Sequence, residues 1–284
     1  MKYSRATIAV VIVALWLGGL GMMFRHNANR SEAQQLAEVS LRVQPSTFYY
    51  QVERDGQKIG AASSSLDTSA TTLVSEEYYV GDFPSGDSVQ RTSTRSQTVL
   101  TRGLHLVNIK MDIARSTRPF SVNAAVEEDT SLFIAGRKRS GRNPPARYTF
   151  VPPLFTATLA PVAFMLGGPH EIGRKQTLSV FDPVSRIVIR PELRIRAESL
   201  FTVVDSAEQD PTGRWVAAHE DTVRAWNIDG APHGLNVWVD AEGRVVAARA
   251  GELSALRTAF ELAFKNTQAG LDTTRNQSRK TIAR

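Results

Sequence analysis

The chain has 284 residues, a net charge of +6 and no cysteine, which excludes disulfides, thiolate metal sites and a cysteine nucleophile. Its excess positive charge lies at the two ends, because residues 1–30 carry +4 and residues 270–284 carry +3, which leaves −1 for residues 31–269. Since the central part lacks the basic surface that nucleic-acid binding requires, we expect no nucleic-acid partner.

The first element in chain order is an uncharged, apolar run of 19 residues from Ala6 to Phe24, within residues 1–30. As a helix rising about 1.5 Å per residue it would reach roughly 28 Å, close to the ~30 Å hydrocarbon core of a bilayer. The run is longer than a usual signal-peptide core and no good cleavage site follows it, so a retained transmembrane anchor is favoured over a cleaved signal peptide. We therefore expect a single-pass protein of the bacterial inner membrane, with a cytoplasmic N terminus and a periplasmic main domain.

Small side chains form a seam along the predicted anchor, where Ala14, Gly18 and Gly21 follow one another at helical spacing and Trp16 lies near mid-span. Small residues allow two transmembrane helices to approach closely, so the seam is a candidate contact with other membrane-protein subunits. The alternative is ordinary composition, because glycine is frequent in transmembrane helices.

Three further segments follow the anchor. Residues 31–45 begin with a capping-box pattern and predict a juxtamembrane helix or linker. Residues 46–268 alternate short β-branched and aromatic runs with Gly, Asp, Pro and Ser, which predicts one mainly β domain. Residues 269–284 form a basic polar tail.

Two stretches of the β domain carry specific strand signatures. Asp55–Gly56 separates two strand-like runs and predicts a hairpin turn, since glycine tolerates a positive φ there. Leu104–Ala114 alternates apolar and polar residues and predicts a strand with one solvated face, to which Leu106 is assigned. A sheet of many such antiparallel strands must curl or pack against something, so we expect a curved sheet or half-barrel.

Two segments are candidates for covering that sheet. Val151–Leu166 is apolar but interrupted by prolines, which predicts a broken helix or loop that is too short to cross a bilayer. Glu252–Lys265 has apolar residues at helical spacing and predicts a C-terminal covering helix. Four side chains of the first segment are expected to belong to ordinary core or, as the alternative, to line an apolar, lipid-binding groove: Leu154, Phe155, Leu159 and Phe164.

Basic residues cluster between these elements, at Arg137, Lys138, Arg139 and Arg142. Their positive charge suits lipid headgroups or an acidic partner. A solvated loop without a ligand is the alternative.

Catalytic signatures are scarce in the sequence. It contains no nucleophile elbow, phosphate loop, zinc-protease motif or calcium loop, and its five histidines are scattered. His219 and Asp221 would share one face of a strand, which leaves an acid–base site there as an alternative to an ordinary surface strand. We expect no enzyme activity, no cofactor and no metal site.

Three groups of residues together carry a resemblance to a known type of domain: Tyr50–Gly60, then Leu159–Gly173 with Val180–Pro183, then Val237–Asp240 with Gly243. The chain resembles an uncharacterised family of bacterial cell-envelope β domains whose members follow a signal sequence or anchor. The resemblance implies a curved antiparallel half-barrel, similar in outline to periplasmic lipoprotein carriers, and no established activity.

Two functions are consistent with these features. The first is a non-catalytic accessory or scaffold subunit of a larger inner-membrane complex, respiratory or photosynthetic, and the retained anchor and its seam favour it. The second is a carrier or chaperone for a hydrophobic ligand or lipid. The expected partners are the bilayer, other membrane-protein subunits and, for a carrier, lipid.

Overall fold

A computed structural model describes residues 44–85, 88–115, 119–138 and 141–265. The predicted anchor with its seam (Ala14, Trp16, Gly18 and Gly21) and the basic tail lie outside these ranges. Within them, no helix has the length and apolar character needed to cross a bilayer.

The described residues form 17 strands and few helices, so the expected mainly β fold is confirmed. The first eight strands follow one another along the chain: β1 Ser46–Arg54, β2 Gln57–Thr68, β3 Thr72–Ser85, β4 Ser88–Thr101, β5 Leu106–Arg115, β6 Phe120–Glu127, β7 Ser131–Lys138 and β8 Gly141–Thr149. The other nine are β9 Leu154–Thr156, β10 Lys175–Thr177, β11 Ser179–Asp182, β12 Ile187–Ile189, β13 Glu192–Gln209, β14 Trp215–Asp229, β15 Asn236–Asp240, β16 Val245–Ala250 and β17 Leu253–Thr258. In the described ranges, helical structure is limited to α1 Ala160–Leu166 and to short turns at Pro232–Gly234 and Glu261–Lys265.

Fourteen of the described strands form one large, curved antiparallel sheet in the order β10-β13-β14-β15-β16-β17-β1-β2-β3-β4-β5-β6-β7-β8. Among the described strands the first pairs with the last, with Tyr49 of β1 opposite Thr258 of β17, so both lie in the middle of the sheet. A second sheet of three short strands, β12-β11-β9, contains a parallel pair between β9 and β11.

The strand signatures are confirmed, with one correction. Asp55 and Gly56 adopt φ values of 50° and 75° in the β1–β2 hairpin, as a two-residue turn requires. Strand β5 exists, but Leu106 is buried, although the alternation places it on the solvated face. The pairing of β4 with β5 shifts between Val99 and Leu100, and this bulge rotates Leu106 onto the same face as Ile109.

The two predicted covering segments have different outcomes. Val151–Leu166 contains the short helix α1, as the prediction of a broken helix requires, but Leu154–Thr156 within it forms the strand β9, which the sequence does not predict. The prediction of one helix over Glu252–Lys265 is wrong, since Leu253–Thr258 forms β17 and a helical turn begins only at Glu261. Residues Leu253–Thr258 pair with β16 on one side and with β1 on the other. The backbone hydrogen bonds of these two ladders outweigh the helical preference that the spacing of apolar residues indicates.

The main core lies on the concave face of the large sheet, under α1 and the small sheet. Its largest fully buried side chains include Phe155, Phe164 and Phe181. Burial of such aromatic groups is a dominant source of folding free energy. The core therefore fixes α1 and β9 against the concave face.

A second, smaller cluster of Val203, Val223, Ala225 and Val246 packs with Phe201 and Trp238. Trp238 lies between Val237 and Val239 of the main core, and neighbouring strand residues face opposite sides. This cluster therefore lies on the convex face. Beyond it the β13–β14 hairpin is mostly exposed, and its Trp215 ring lies 4.3 Å from Nζ of Lys265.

Candidate ligand-binding site on the concave face

Several neighbouring inner positions of β2, β3 and β4 carry small and polar side chains where a core would carry large apolar ones. In the strand register Glu77 of β3 lies opposite Ser64 of β2 and Ser96 of β4. Opposite residues of an antiparallel pair share a face, so these three side chains point to the concave side together. Ser75 and Thr98 continue the same polar band, and both are buried.

A cavity of about 270 Å³ lies above this band, and we name it the Glu77 cavity. Its walls come from β1 to β5, from β15 to β17 and from the segment that enters α1. Thr158 lines it while remaining exposed, so the cavity opens to solvent there. Among the described residues that line this cavity, Glu77 is the only one with a charged side chain.

Glu77 is half-buried, and besides this cavity it lines a pocket of about 300 Å³ together with Glu76 and Arg95. Burial raises the pKa of Glu77 above its ordinary value of 4.5, because the enclosed site disfavours the charged form. A hydrogen bond from the hydroxyl of Thr158 acts in the opposite direction and is the weaker effect. The result is a carboxyl group that is costly to ionise without a partner.

A second cavity of about 490 Å³ adjoins the first, and we name it the Arg244 cavity. It lies where the chain enters β1 and where β15 turns into β16, with Ser46, Leu104 and Arg244 among its lining residues. Its volume falls in the range of roughly 300–1,000 Å³ that small-molecule sites occupy. Five residues line both cavities and form the boundary between them: Tyr50, Ser64, Leu159, Val162 and Val245.

Tyr50 is the polar group at this boundary. Its hydroxyl donates a hydrogen bond to the carbonyl oxygen of Val245, at an oxygen–oxygen distance of 3.2 Å. Burial raises the pKa of Tyr50 well above its ordinary value, so the phenol stays neutral at physiological pH. Burial also raises the pKa of Tyr79, another lining residue of the Glu77 cavity, to about 12.

A charge network around the buried carboxylate of Asp240 includes Arg244, which lines this cavity. Arg244 Nε donates to Asp240 Oδ2 at 2.6 Å, and Arg257 Nη1 lies 3.9 Å from the same oxygen. The other carboxylate oxygen of Asp240 accepts the backbone N–H groups of Glu242 and Arg244. Arg257 is buried and its guanidinium lies over the ring of Phe48. Both cations therefore share one buried counter-ion.

The four residues predicted as core or groove are divided between the two. Leu159 lines both cavities, whereas Leu154, Phe155 and Phe164 are at most 1 % exposed and belong to the core. Core membership is what the sequence favours for all four.

The basic cluster lies at the β7–β8 hairpin, where Arg137 and Lys138 end one strand and Arg142 belongs to the next. Their side chains lie outside the described part of the structure, as does Arg139 altogether.

His219 and Asp221, the candidate acid–base pair of the sequence, both lie on β14 and are exposed. His219 is exposed, and its Nδ1 lies 3.9 Å from Oδ2 of Asp205 on the neighbouring strand. No group of three or more metal-ligating side chains converges anywhere in the described ranges.

Sequence reasoning missed Glu77, Tyr50 and Thr158, the polar groups of the two cavities. A signal was present in the adjacent pair Glu76–Glu77, because alternation along a strand must direct one of two neighbouring carboxylates to the inner face. The serine-rich runs of β2 and β4 are a second signal, since they place hydroxyls where a core needs large side chains.

The fold and cavities define a mainly β domain with an accessible concave face. No family model matches the chain, and no curated protein matches it. Among solved structures it is similar to the crystal structure of a β-barrel-like protein of the domain of unknown function DUF1849 from Brucella abortus. The alignment covers 76 % of this chain and 95 % of that one, with 10 % identity and a TM-score of 0.49, a likeness that assigns no function.

Proposed function

We propose that the β domain binds a small amphipathic molecule, such as a single-chain lipid, on its concave face. The observation that supports this function is the pair of adjoining cavities, which meet at Tyr50, Leu159 and Val162. A cavity that opens to solvent and has mostly apolar walls with a few polar groups is typical of ligand sites. The filled core beside it supplies the rigid support that such a site needs.

The predicted anchor is consistent with this proposal. A domain tethered to a bilayer has a high local concentration of lipids, so even a modest affinity would fill the site. We place the domain on the periplasmic side of the inner membrane, where it would act as a carrier for the bound molecule.

The test is lipid analysis of the full-length protein and of a variant with a blocked cavity. Ala62 lines the Glu77 cavity, so Ala62→Trp would fill it, whereas Ala217→Trp introduces the same side chain on the exposed face of β14. After extraction from membranes, mass spectrometry should detect a molecule that co-purifies with the parent protein and with Ala217→Trp but not with Ala62→Trp. Equal lipid content in all three proteins would contradict the proposal.

A second candidate function is an accessory or scaffold subunit of an inner-membrane complex. It is favoured by an aromatic cluster on the convex side, where the ring of Tyr49 lies 5.1 Å from that of Phe260 and the ring of Tyr78 stacks on Phe264 at 6.4 Å. Tyr78 and Phe260 remain 39 % and 40 % exposed, and exposed aromatic side chains are common in protein interfaces.

Extraction in a mild detergent followed by mass spectrometry tests this second function. A scaffold subunit should be recovered with respiratory or photosynthetic subunits, and Phe260→Ala should weaken that recovery. Recovery of the parent protein as a free monomer would contradict this function and would leave the carrier proposal standing.

A further inference from the structure

We propose that Glu77 recognises the head group of the ligand and that this head group is a protonated amine on a single apolar chain. The inference rests on the proposed function, because it names the ligand class of the same cavity. It follows from two observations. The other described residues that line the Glu77 cavity carry no charge, and the nearby Arg244 and Arg257 lie close to the carboxylate of Asp240.

The residues that line the cavity around Glu77 are neutral. In the part of the chain that the structure describes, the other lining residues of its cavity are apolar, hydroxyl-bearing or aromatic. Thr158 supplies a hydrogen bond but no charge. An enclosed carboxylate needs an opposite charge or several hydrogen bonds to offset its lost hydration, and a ligand ammonium would supply both.

Three titratable groups lie near Glu77, one on its own strand and two on other strands. Tyr50 on β1 and Tyr79 on β3 stay neutral, because burial raises the pKa of each phenol. Arg257 on β17 lies opposite Tyr50, and its Nη1 is 3.9 Å from Oδ2 of Asp240 without a hydrogen bond to any described residue. Because Arg257 lines neither cavity, Glu77 is the one of these groups whose charge a ligand in the Glu77 cavity could balance.

An anionic ligand is the alternative, and the structure disfavours it. The basic side chain that lines the adjoining cavity is Arg244, which already donates to Asp240 at 2.6 Å and contacts Glu242 at 2.7 Å. A carboxylate brought into the Glu77 cavity would face a second carboxyl group, and two such groups can remain close only by sharing a proton.

The absence of cysteine allows a direct test, since a single introduced thiol reports on its own surroundings. Ser64 lies opposite Glu77 and lines both cavities, so Ser64→Cys places a thiol inside the site. Ser206→Cys places the matched control on exposed β13. The full-length variants, held in a non-ionic amphipol, would be labelled with a small maleimide in the presence of octylammonium, octanol or octanoate at pH 7.

We expect octylammonium to slow labelling of Ser64→Cys at concentrations about tenfold lower than octanoate requires, and to leave Ser206→Cys unaffected. Addition of Glu77→Gln should remove that preference. Addition of Glu76→Gln, which neutralises the neighbouring carboxylate on the outer face of β3, should keep it.

The outcomes separate the two proposals. If none of the three compounds protects Ser64→Cys, the ligand-binding function itself is wrong. If all three protect it equally, or if Glu77→Gln keeps the preference for octylammonium, the cavity binds amphipathic molecules but Glu77 does not select their head group. Stronger protection by octanoate would establish an anionic ligand instead.

Discussion

The two ends of the concave face are built from the same sheet but filled in opposite ways. At one end Phe155, Phe164 and Phe181 are fully buried and leave no exposed surface. At the other end Ser64, Ser96 and Glu77 occupy inner positions of the large sheet, and a cavity lies above them. Phe155 and Phe181 belong to the small sheet and Phe164 belongs to α1, so the difference arises both from what covers the large sheet and from the size and polarity of its inner side chains.

This difference indicates that the two ends have different roles, which are stabilisation of the fold at the packed end and the proposed ligand binding at the cavity end. The packed end contributes folding free energy through apolar burial, about 25 cal/mol for each square ångström. The cavity end gives up part of that energy, because small hydroxyl side chains bury little apolar surface. A polar cavity that reduces stability is typical of a functional region rather than of a defect in packing.

The largest expected effect tests the packed end. Phe164→Ala should lower the free energy of unfolding by about 3–5 kcal/mol, since it removes a fully buried ring and the stacking of Arg174 on it, at 4.1 Å. Leu159→Ala, at the boundary of the two cavities, should cost clearly less. Denaturant unfolding monitored by tryptophan fluorescence measures both values, and equal costs would contradict these different roles.

A smaller loss of stability is expected from substitution of Asp182, which is buried at the end of β11. Its carboxylate accepts hydrogen bonds from His233 Nε2 at 2.8 Å and from the backbone N–H of Val184 at 3.0 Å. Asp182→Ala should therefore lower the free energy of unfolding by about 1–3 kcal/mol. His233→Ala should cost less, since its side chain is 61 % exposed.

The pH dependence of this site has a defined sign. Burial alone would raise the pKa of Asp182, but the hydrogen bonds from Ser185, His233 and Val184 outweigh burial and lower it. The stabilisation is therefore present above the ordinary value of 3.8 and is lost as the pH falls through the lowered pKa. Asp182→Ala should remove this acid-dependent loss in a series of unfolding curves.

The cavity end should respond to pH in the opposite direction. Because the pKa of Glu77 is raised, the folded state is favoured below the ordinary value of 4.5, and stability falls as the pH rises through the raised pKa. The loss is at most about 1.4 kcal/mol per pH unit. Glu77→Gln should flatten this part of the curve, whereas an unchanged slope would show that Glu77 is not enclosed.

The smallest effect is expected away from both ends. Arg147 Nη2 lies 2.6 Å from Glu127 Oε2, but both side chains are largely exposed. Arg147→Ala should change the free energy of unfolding by less than about 1 kcal/mol, because solvent screens such pairs. A larger loss in denaturant unfolding would mean that solvent does not screen the Arg147–Glu127 pair.

The sequence predicts the fold well where the signal is local. The turn at Asp55–Gly56 requires a positive φ at both residues, and an Asp-Gly pair between two strand-like runs predicts this turn directly. The prolines of Val151–Leu166 likewise exclude a long helix. Both features depend on backbone geometry, which a few neighbouring residues determine.

Prediction from sequence fails where pairing with a distant segment of the chain determines the local structure. The residues of β17 have a helical pattern, but hydrogen bonding to β1, at the opposite end of the chain, makes them a strand. The inner position of Glu77 depends on strand register, and a shift by one residue would turn it outward. Neither the register nor the cavity could be predicted from single-residue preferences.

The pairing of β1 with β17 has a consequence for how the chain folds. Strand β1 lies in the middle of the sheet, yet its neighbour β17 is the last of the described strands to be synthesised. On this side Tyr49 therefore cannot pair until Thr258 has been added to the chain. Until residue 258 leaves the ribosome, the β1–β8 meander has an unpaired edge that could join another chain. Assembly of this domain therefore ends with a slow, long-range closure, and shortening the chain before β17 should cause aggregation rather than a smaller folded domain.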